Sequence, residues 1–262
     1  MAKPRILVTP RSVTRCGHRS IELLRDAGYD VLTPTPGRQP TEEELLSIVP
    51  DCVGYLAGVE PITTDVIAAA PELRAISRNG VGIDSIDKKA ADAAGVRILT
   101  TPGANANGVA ELAIGLIFAL ARAIPASDRT IRNGGWERFR GVELSSATLG
   151  IVGCGSVGRL VAQAAIGVGM RVVGYDPYPR GDFAPEGFAW DDFDAVFRSA
   201  QFVTLHCPPS DTPIVTSEVL SQMPDGSYLV NTARSGLVNP ESVLAALESG
   251  KLAGYATDAH AT

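Results

Sequence analysis

The sequence contains few cysteines and no clusters of positive charge. Its four cysteines, Cys16, Cys52, Cys154 and Cys207, are widely separated and form no Cys-x-x-Cys pair. This spacing argues against a disulfide framework and a zinc site, so we expect no bound metal and a reducing cytoplasm as the compartment. With 23 basic and 29 acidic residues and no Lys/Arg cluster, the chain lacks the charge pattern of a nucleic-acid-binding protein.

Long apolar segments are also missing. The N-terminus, MAKPRILVTP, lacks the apolar core of a signal peptide, and the most apolar helical stretch, residues 112–124, follows Glu111 and contains Arg122. We therefore expect no membrane partner. With 45% hydrophobic residues and 27 glycines the composition is that of a globular protein, and 262 residues suit two domains.

Short runs rich in Val and Ile alternate with helical stretches along most of the chain. This alternation predicts an α/β fold of two Rossmann-like or flavodoxin-like domains, each a doubly wound parallel sheet. The alternation of strand-like and helical stretches is interrupted near Thr100 and resumes at Ser145. We place one domain at 1–100 and the other at 101–262, and assign a long helix over 109–123 to the second.

A glycine motif opens a helix in the second domain. The stretch TLGIVGCGSVG is a predicted buried strand followed by Gly153, Gly155 and Gly158 in a G-x-G-x-x-G pattern. The first glycine allows a tight turn, the second lets the backbone approach a pyrophosphate, and the third lets the helix pack against the strand. The N–H groups near Ser156 and Val157 then point at the phosphates. The alternative is a glycine-rich turn without a ligand.

The nucleotide is predicted to be NAD. Asp176 ends the next strand, RVVGYD, 18 residues after Gly158. An acid at that place accepts hydrogen bonds from the ribose hydroxyls and repels the 2′-phosphate of NADP. Pro177 and Tyr178, rather than a basic residue, follow it.

Two later strands end in polar residues at the same predicted edge of the sheet. His206, Cys207 and Pro208 follow one strand and are expected near the adenine; Thr232, Ala233 and Arg234 follow the other and are expected near the nicotinamide. We interpret His206 as a strand-end histidine with a satisfied hydrogen bond rather than a catalytic residue, and Cys154 and Cys207 as packing residues. Arg234 suits an anionic substrate, or is a solvated loop residue.

Several motifs resemble one family. The stretches NTARSGLVNPESVLAALESGKLAGYATD, GVELSSATLGIVGCGSVGRLVA, NGVAELAIGLIFALAR and RNGVGIDSIDKKAADAAGVRILTTPG resemble the D-2-hydroxyacid dehydrogenases, especially the 3-phosphoglycerate dehydrogenase branch. The resemblance runs from about residue 78 to 258 and implies an NAD-dependent oxidoreductase acting on a small anionic 2-hydroxy or 2-oxo acid, with acids like 3-phosphoglycerate among the candidates. Domain 1–100 would then be the substrate domain and domain 101–262 the NAD-binding domain, with the cofactor in the cleft between them.

The resemblance also implies roles for individual residues. Arg234 would be the catalytic arginine, and Asp258 would approach the nicotinamide carboxamide. The substrate carboxylate would bind the loop formed by Arg78, Asn79, Gly80 and Val81. That loop also fits a glycine turn before a helix capped by Asp84 or Ser85.

The family's acid–base pair, a glutamate and a histidine, falls beyond Thr262. The resemblance therefore predicts a truncated chain whose first domain misses its C-terminal element. Among His18, His206 and His260, His260 lies nearest to Asp258, but the family normally has an apolar residue at that position, so the resemblance argues against His260 as a substitute acid. A catalytically silent NAD-binding sensor or scaffold, and an NAD enzyme with other chemistry, remain alternatives.

We expect a homodimer. The long helix and the RNGGWERFRG segment with Trp136 are suitable material for its interface. The alternative is that Trp136 packs on its own domain.

Overall fold

A computed structural model describes residues 3–179 and 181–259. The chain forms two compact units, Met1–Asn105 and Ala106–Thr262. Each is built on one parallel sheet with helices on both faces, which confirms the predicted fold class. His260 lies outside the described residues.

The first unit has a five-stranded sheet in the order β2-β1-β3-β4-β5. Its strands are β1 (Arg5–Val8), β2 (Asp30–Leu32), β3 (Cys52–Ala57), β4 (Ala75–Arg78) and β5 (Arg97–Leu99), and its helices are α1 (Arg11–Thr14), α2 (Arg19–Asp26), α3 (Glu42–Ile48), α4 (Thr64–Ala68) and α5 (Lys88–Ala93). This is the flavodoxin-like order, in which the direction of winding reverses between β1 and β3. A groove of about 370 Å³ lies against the α2 face of the sheet, between Leu23 and Leu24 of α2 and Ile6 and Leu56 of the strands.

The second unit has a six-stranded sheet in the order β11-β10-β9-β6-β7-β8. Its strands are β6 (Thr148–Val152), β7 (Arg171–Tyr175), β8 (Phe188–Trp190), β9 (Phe202–Leu205), β10 (Ser227–Asn231) and β11 (Leu252–Thr257), and its helices are α6 (Ala106–Ala121), α7 (Ile124–Arg132), α8 (Ser156–Gly167), α9 (Phe193–Ser199), α10 (Ser217–Gln222) and α11 (Pro240–Glu248). This is the dinucleotide-binding order, with its reversal between β6 and β9.

The centre of the second sheet is buried on both faces. All five residues of β6 and all four of β9 are buried, as expected for parallel strands covered by helices on each side. Gly150 allows α9 to lie close, since a Cβ there would come within 2.7 Å of Val196 Cγ1. The strand ends at the reversal are thus held by a well-packed core.

Two helix boundaries differ from the sequence expectation. The long helix starts at Ala106 rather than 109 and ends at Ala121; Ala123 takes a left-handed conformation (φ 51°), and α7 begins at Ile124. In the first unit Asp87, not Asp84 or Ser85, caps α5 by accepting a hydrogen bond from the Ala90 N–H (3.0 Å). The expected cap is wrong because the Ser85 carbonyl and Ile86 pair with Ile62, which keeps this segment extended.

The surface of the segment from α6 to Trp136 is partly apolar. Trp136 is 71% exposed, with the Arg138 guanidinium 5.2 Å from its ring centroid. The alternative that Trp136 packs on its own domain is therefore wrong.

Within the described ranges no single helix is long and apolar enough to cross a membrane, although α6 and α7, which meet at 66°, reach that length and composition together.

Candidate active site

The glycine loop after β6 has three distinct local environments. Gly153 has φ +94°, and a Cβ on it would lie 2.6 Å from the Cys207 nitrogen. A Cβ on Gly158 would lie 2.1 Å from the Gly153 carbonyl oxygen. A Cβ on Gly155 would have no heavy atom within 4 Å. Gly153 and Gly158 are therefore required by the fold itself, whereas Gly155 borders open space.

Helix α8 starts directly at this open space. Ser156 and Val157 are its first two residues, and Ser156 is exposed. The first N–H groups of a helix have no partner within the helix, and the helix dipole places partial positive charge there. The loop thus offers donors where a phosphate can approach the Gly155 backbone.

Asp176 is fixed at the end of β7 beside the glycine loop. Its Oδ2 accepts a hydrogen bond from the Cys154 N–H (2.9 Å), and its Oδ1 accepts one from the Tyr178 N–H (2.9 Å). Each carboxylate oxygen keeps a further lone pair. The side chain is therefore oriented before a ligand arrives and can still accept hydrogen bonds from two hydroxyls.

A cavity of about 590 Å³ opens at the reversal of the second sheet. It joins the glycine loop, the end of β7 and the segment after β9. The predicted site residues that line it are Gly153, Gly155, Asp176, His206, Cys207 and Pro208. Tyr175, Phe193 and Ile214 add apolar walls, so the cavity suits a flat apolar group joined to a hydroxyl-bearing and anionic one.

His206 has a hydroxyl partner at each ring nitrogen. Thr204 Oγ1 lies 3.0 Å from Nε2, and Thr232 Oγ1 lies 3.5 Å from Nδ1. Burial lowers the pKa of His206 to about 4, so the ring is neutral at neutral pH. This geometry agrees with a strand-end histidine whose hydrogen bonds are satisfied.

The two cysteines of the site are poor nucleophiles. Cys154 is 2% exposed, and burial together with the Asp176 charge raises its pKa to about 12. Burial also raises the pKa of Cys207. A thiol with a raised pKa carries little thiolate at neutral pH, and both side chains pack against the sheet.

The turn after β10 holds Arg234. Asn231 braces this turn, because its Nδ2 donates to the Arg234 carbonyl (2.8 Å) and its Oδ1 accepts from the Ala233 N–H (3.0 Å). Thr232 is buried, whereas Ala233 and Arg234 are partly exposed, and Arg234 Nη1 donates to the Ala233 carbonyl (2.8 Å). The Arg234 side chain is thus anchored at the carboxyl edge of the sheet.

Asp258 follows the neighbouring strand at the same edge. In the parallel register Asn231 pairs with Thr257, and the Thr257 hydroxyl donates to the Asn231 carbonyl (2.7 Å). Asp258 itself is exposed. The structure therefore brings Asp258 and the Thr232 to Arg234 turn to adjacent strand ends.

The predicted carboxylate loop of the first unit follows β4. Arg78 ends this strand and donates to the Asn79 carbonyl, and Asn79 Nδ2 donates to Ser12 Oγ (3.1 Å). Gly80 has φ +146°, and Val81 is exposed. Arg78 and Asn79 line a cavity of about 330 Å³ in this unit, whereas Gly80 and Val81 do not.

No three His, Cys, Asp or Glu side chains in residues 3–179 and 181–259 are grouped as metal ligands. Glu60, a buried carboxylate in the 330 Å³ cavity, is a candidate site residue that the sequence does not indicate. A single glutamate in "AGVEPITT" carries no sequence signal of burial, and its main partner, Thr9, is 51 residues away.

Comparison with known proteins assigns this architecture to a family. Residues 114–262 match the model described as "D-isomer specific 2-hydroxyacid dehydrogenase, NAD binding domain". A hydroxypyruvate reductase of Thermotoga maritima is 37% identical over 217 residues, which cover 80% of this chain and 70% of that protein. Human D-3-phosphoglycerate dehydrogenase is 36% identical over 243 residues, covering 90% of this chain. The chain spans only 45% of the length of that second relative.

A solved structure agrees with these matches. The NAD⁺-bound 3-phosphoglycerate dehydrogenase of Entamoeba histolytica has a TM-score of 0.82 and 28% identity, with 100% of this chain and 82% of that chain covered. The glycine loop, Asp176 and the strand order are the features that such a domain requires. The chain belongs to the D-isomer specific 2-hydroxyacid dehydrogenase family, and its cofactor is NAD.

Proposed function

We propose that the protein transfers a hydride between NAD and C2 of a small D-2-hydroxy or 2-oxo acid. The observation that carries the proposal is the braced Arg234, held at the carboxyl edge of the nucleotide-binding sheet beside Asp258. In an open α/β sheet, ligands bind outside this edge. The names of the relatives, hydroxypyruvate reductase and D-3-phosphoglycerate dehydrogenase, support this substrate class.

We assign cofactor binding to the loop and strand ends of the second unit. Gly155 leaves space for the pyrophosphate, the N–H groups of Ser156 and Val157 face it, and Asp176 accepts the ribose hydroxyls. The remaining proposed contacts come from the strand ends, through Gly153, Gly158, His206, Cys207, Pro208, Thr232, Ala233 and Asp258. When bound, NAD supplies the hydride acceptor or donor. The protein residues orient the substrate and polarise its carbonyl group.

Arg234 is proposed as the catalytic arginine. A guanidinium presents several N–H donors in a fixed plane and can bind a carboxylate while it polarises a neighbouring carbonyl. A donor already aimed at the oxygen that gains charge during hydride transfer stabilises the transition state more than the ground state. In the first unit, Arg78, Asn79 and the backbone of Gly80 and Val81 are proposed to bind the substrate carboxylate.

His206 does not supply the proton in this scheme. A general acid must be protonated near the working pH, whereas burial holds the pKa of His206 near 4. Both of its ring nitrogens also face protein hydroxyls rather than open space. Its proposed role is to shape the wall of the cofactor cavity.

We also propose a homodimer and a cytoplasmic location. Exposed apolar side chains recur along α6, α7 and the following loop, namely Leu112, Phe118, Ile124, Ile131 and Trp136. We propose that these side chains contribute to one interaction surface, because exposed apolar patches typically mark such surfaces. All four cysteines are free thiols, which supports a reducing compartment.

The test is NADH oxidation by the full-length protein with a panel of 2-oxo acids at neutral pH. Arg234→Ala is expected to lower kcat/KM at least about 100-fold while NADH affinity stays within about twofold. Arg171→Ala is the matched control, because Arg171 is an exposed residue that begins β7, at the opposite edge of the sheet. Tight NADH binding without turnover of any acid would instead support a silent NAD-binding sensor or scaffold.

A further inference from the structure

The cavity in the first unit lies where its sheet reverses direction. Thr9, Pro10, Arg11 and Ser12 come directly after β1, and Gly58, Val59 and Glu60 come directly after β3. These two strands are neighbours, and the winding reverses between them. Ligands of open α/β sheets bind at this point, outside the carboxyl ends of the strands, so the cavity of about 330 Å³ has the position of a binding site.

A buried carboxylate forms part of the cavity wall. Glu60 is 1% exposed. Its Oε1 accepts hydrogen bonds from the Thr9 hydroxyl, the Tyr55 hydroxyl (2.8 Å) and the Gly58 N–H (2.8 Å). Burial and, to a lesser extent, the charge of Glu60 raise the pKa of the Tyr55 hydroxyl. This phenol therefore stays protonated and donates its hydrogen bond to Glu60. Glu60 is therefore held rigidly by donors from three separate residues.

The second oxygen of Glu60 keeps its capacity to accept. Among the hydrogen bonds of residues 3–179 and 181–259, those to Glu60 fall on Oε1. Oε2 lies over Gly58, where a Cβ would approach it to 2.6 Å. A ligand hydroxyl can donate to this oxygen, whereas a phosphate dianion offers no proton and is repelled. That repulsion is strong because charges in a low-dielectric site are weakly screened.

We propose that Glu60 is a specificity-determining residue, which makes this cavity select an acid with an uncharged, hydroxyl-bearing C3 over one with a C3 phosphate. The inference rests on the proposed function, in which Arg78 and Asn79 of the same cavity hold the substrate carboxylate. The lining of the cavity then offers cationic groups, Arg78 and Arg11, to the carboxylate of the ligand and a fixed anion, Glu60, to its hydroxyl. Glyceric-type acids match this pattern.

The experiment measures binding rather than turnover. D-Glycerate and 3-phospho-D-glycerate are titrated by calorimetry into the full-length protein saturated with NADH, in which a 2-hydroxy acid cannot be oxidised. The wild-type protein should bind D-glycerate at least about tenfold more tightly, a difference of about 1.4 kcal/mol. Glu60→Gln, which removes the charge and keeps an acceptor for the Gly58 N–H, should change that ratio at least about tenfold in favour of the phosphorylated acid.

Two control variants separate charge from structure. Glu72→Gln removes a negative charge from an exposed position outside the cavity and should leave the ratio unchanged. Tyr55→Phe removes one donor to Glu60 but keeps its charge, so the preference for D-glycerate should persist. Equal or tighter binding of 3-phosphoglycerate to the wild-type protein would overturn the proposal, as would an unchanged ratio in Glu60→Gln or no measurable binding of either acid.

The outcomes also distinguish this inference from the proposed function. Selective binding of D-glycerate without NADH oxidation by any 2-oxo acid would refute the dehydrogenase activity and leave the role of Glu60 standing. If the protein turns over 2-oxo acids but Glu60 does not affect the preference between the two acids, the dehydrogenase activity stands and the role of Glu60 is refuted.

Discussion

Replacing Gly155 by alanine separates cofactor binding from folding. Gly155 has φ −71° and ψ −152°, a backbone conformation without the positive φ that disfavours alanine, and its Cβ would meet no heavy atom within 4 Å. The folded protein therefore tolerates the methyl group. The added methyl group would occupy the space where we place the pyrophosphate, so the phosphates would be held away from the first N–H groups of α8.

We expect the free energy of unfolding of the cofactor-free protein to change by less than about 1 kcal/mol, since Gly to Ala at a compatible site changes it by only a few tenths to 1 kcal/mol. NADH affinity should fall at least about 30-fold, or about 2 kcal/mol, because charge-assisted hydrogen bonds to the phosphates are lengthened. Urea unfolding gives the first quantity, and titration of NADH fluorescence gives the second.

Two glycines of the same segment serve as comparisons. Gly158→Ala would place a methyl group 2.1 Å from the Gly153 carbonyl oxygen and should lower stability and binding together. Gly167→Ala at the end of α8 meets no atom within 4 Å and should preserve both. If Gly155→Ala binds NADH as tightly as Gly167→Ala, the pyrophosphate does not pass over Gly155 and the assignment is refuted.

Asp176→Asn should shift the ratio of NADH to NADPH affinity toward NADPH by about tenfold, because it removes the charge that opposes a 2′-phosphate; an unchanged ratio would contradict the role of Asp176. The lowered pKa of His206 leads us to expect that the protein loses stability in acid. Its pKa lies near 4 in the folded protein and near 6.5 when unfolded, so the unfolded state binds more protons as pH falls from 6.5 to 4. This proton uptake reduces the free energy of unfolding by up to about 3 kcal/mol over that window. Urea unfolding of His206→Asn should show a smaller fall over the same window.

The sequence predicted the features that depend on local pattern. The alternation of apolar runs and helical stretches indicated both parallel sheets, and the glycine spacing located the turn after β6 together with the helix that follows. Each of these signals lies within a few consecutive residues. The start of α5 was missed because its position depends on Ile62, which lies 24 residues before Ile86 in the chain and pairs with it.

The features that depend on distant residues were not predicted. From the sequence alone, Glu60 is indistinguishable from a surface glutamate. Only the folded structure places Thr9 and Tyr55 at its carboxylate. Helix α7 has no clear signal in the sequence because Pro125 and the left-handed Ala123 interrupt the apolar pattern, although proline is common in the first turn of a helix. Burial of a polar side chain is a property of the packed structure, and residue type alone does not report it.

The two hydrogen bonds of the Asn231 side chain reduce the entropic cost of ligand binding at the turn after β10. Both ends of its amide are engaged by the turn that holds Arg234, through the Ala233 N–H and the Arg234 carbonyl. The conformational entropy of this turn is therefore lost once, when the protein folds, instead of at every encounter with a ligand. A preorganised arginine of this kind lets a small acid with few atoms bind without also having to order the loop that receives it.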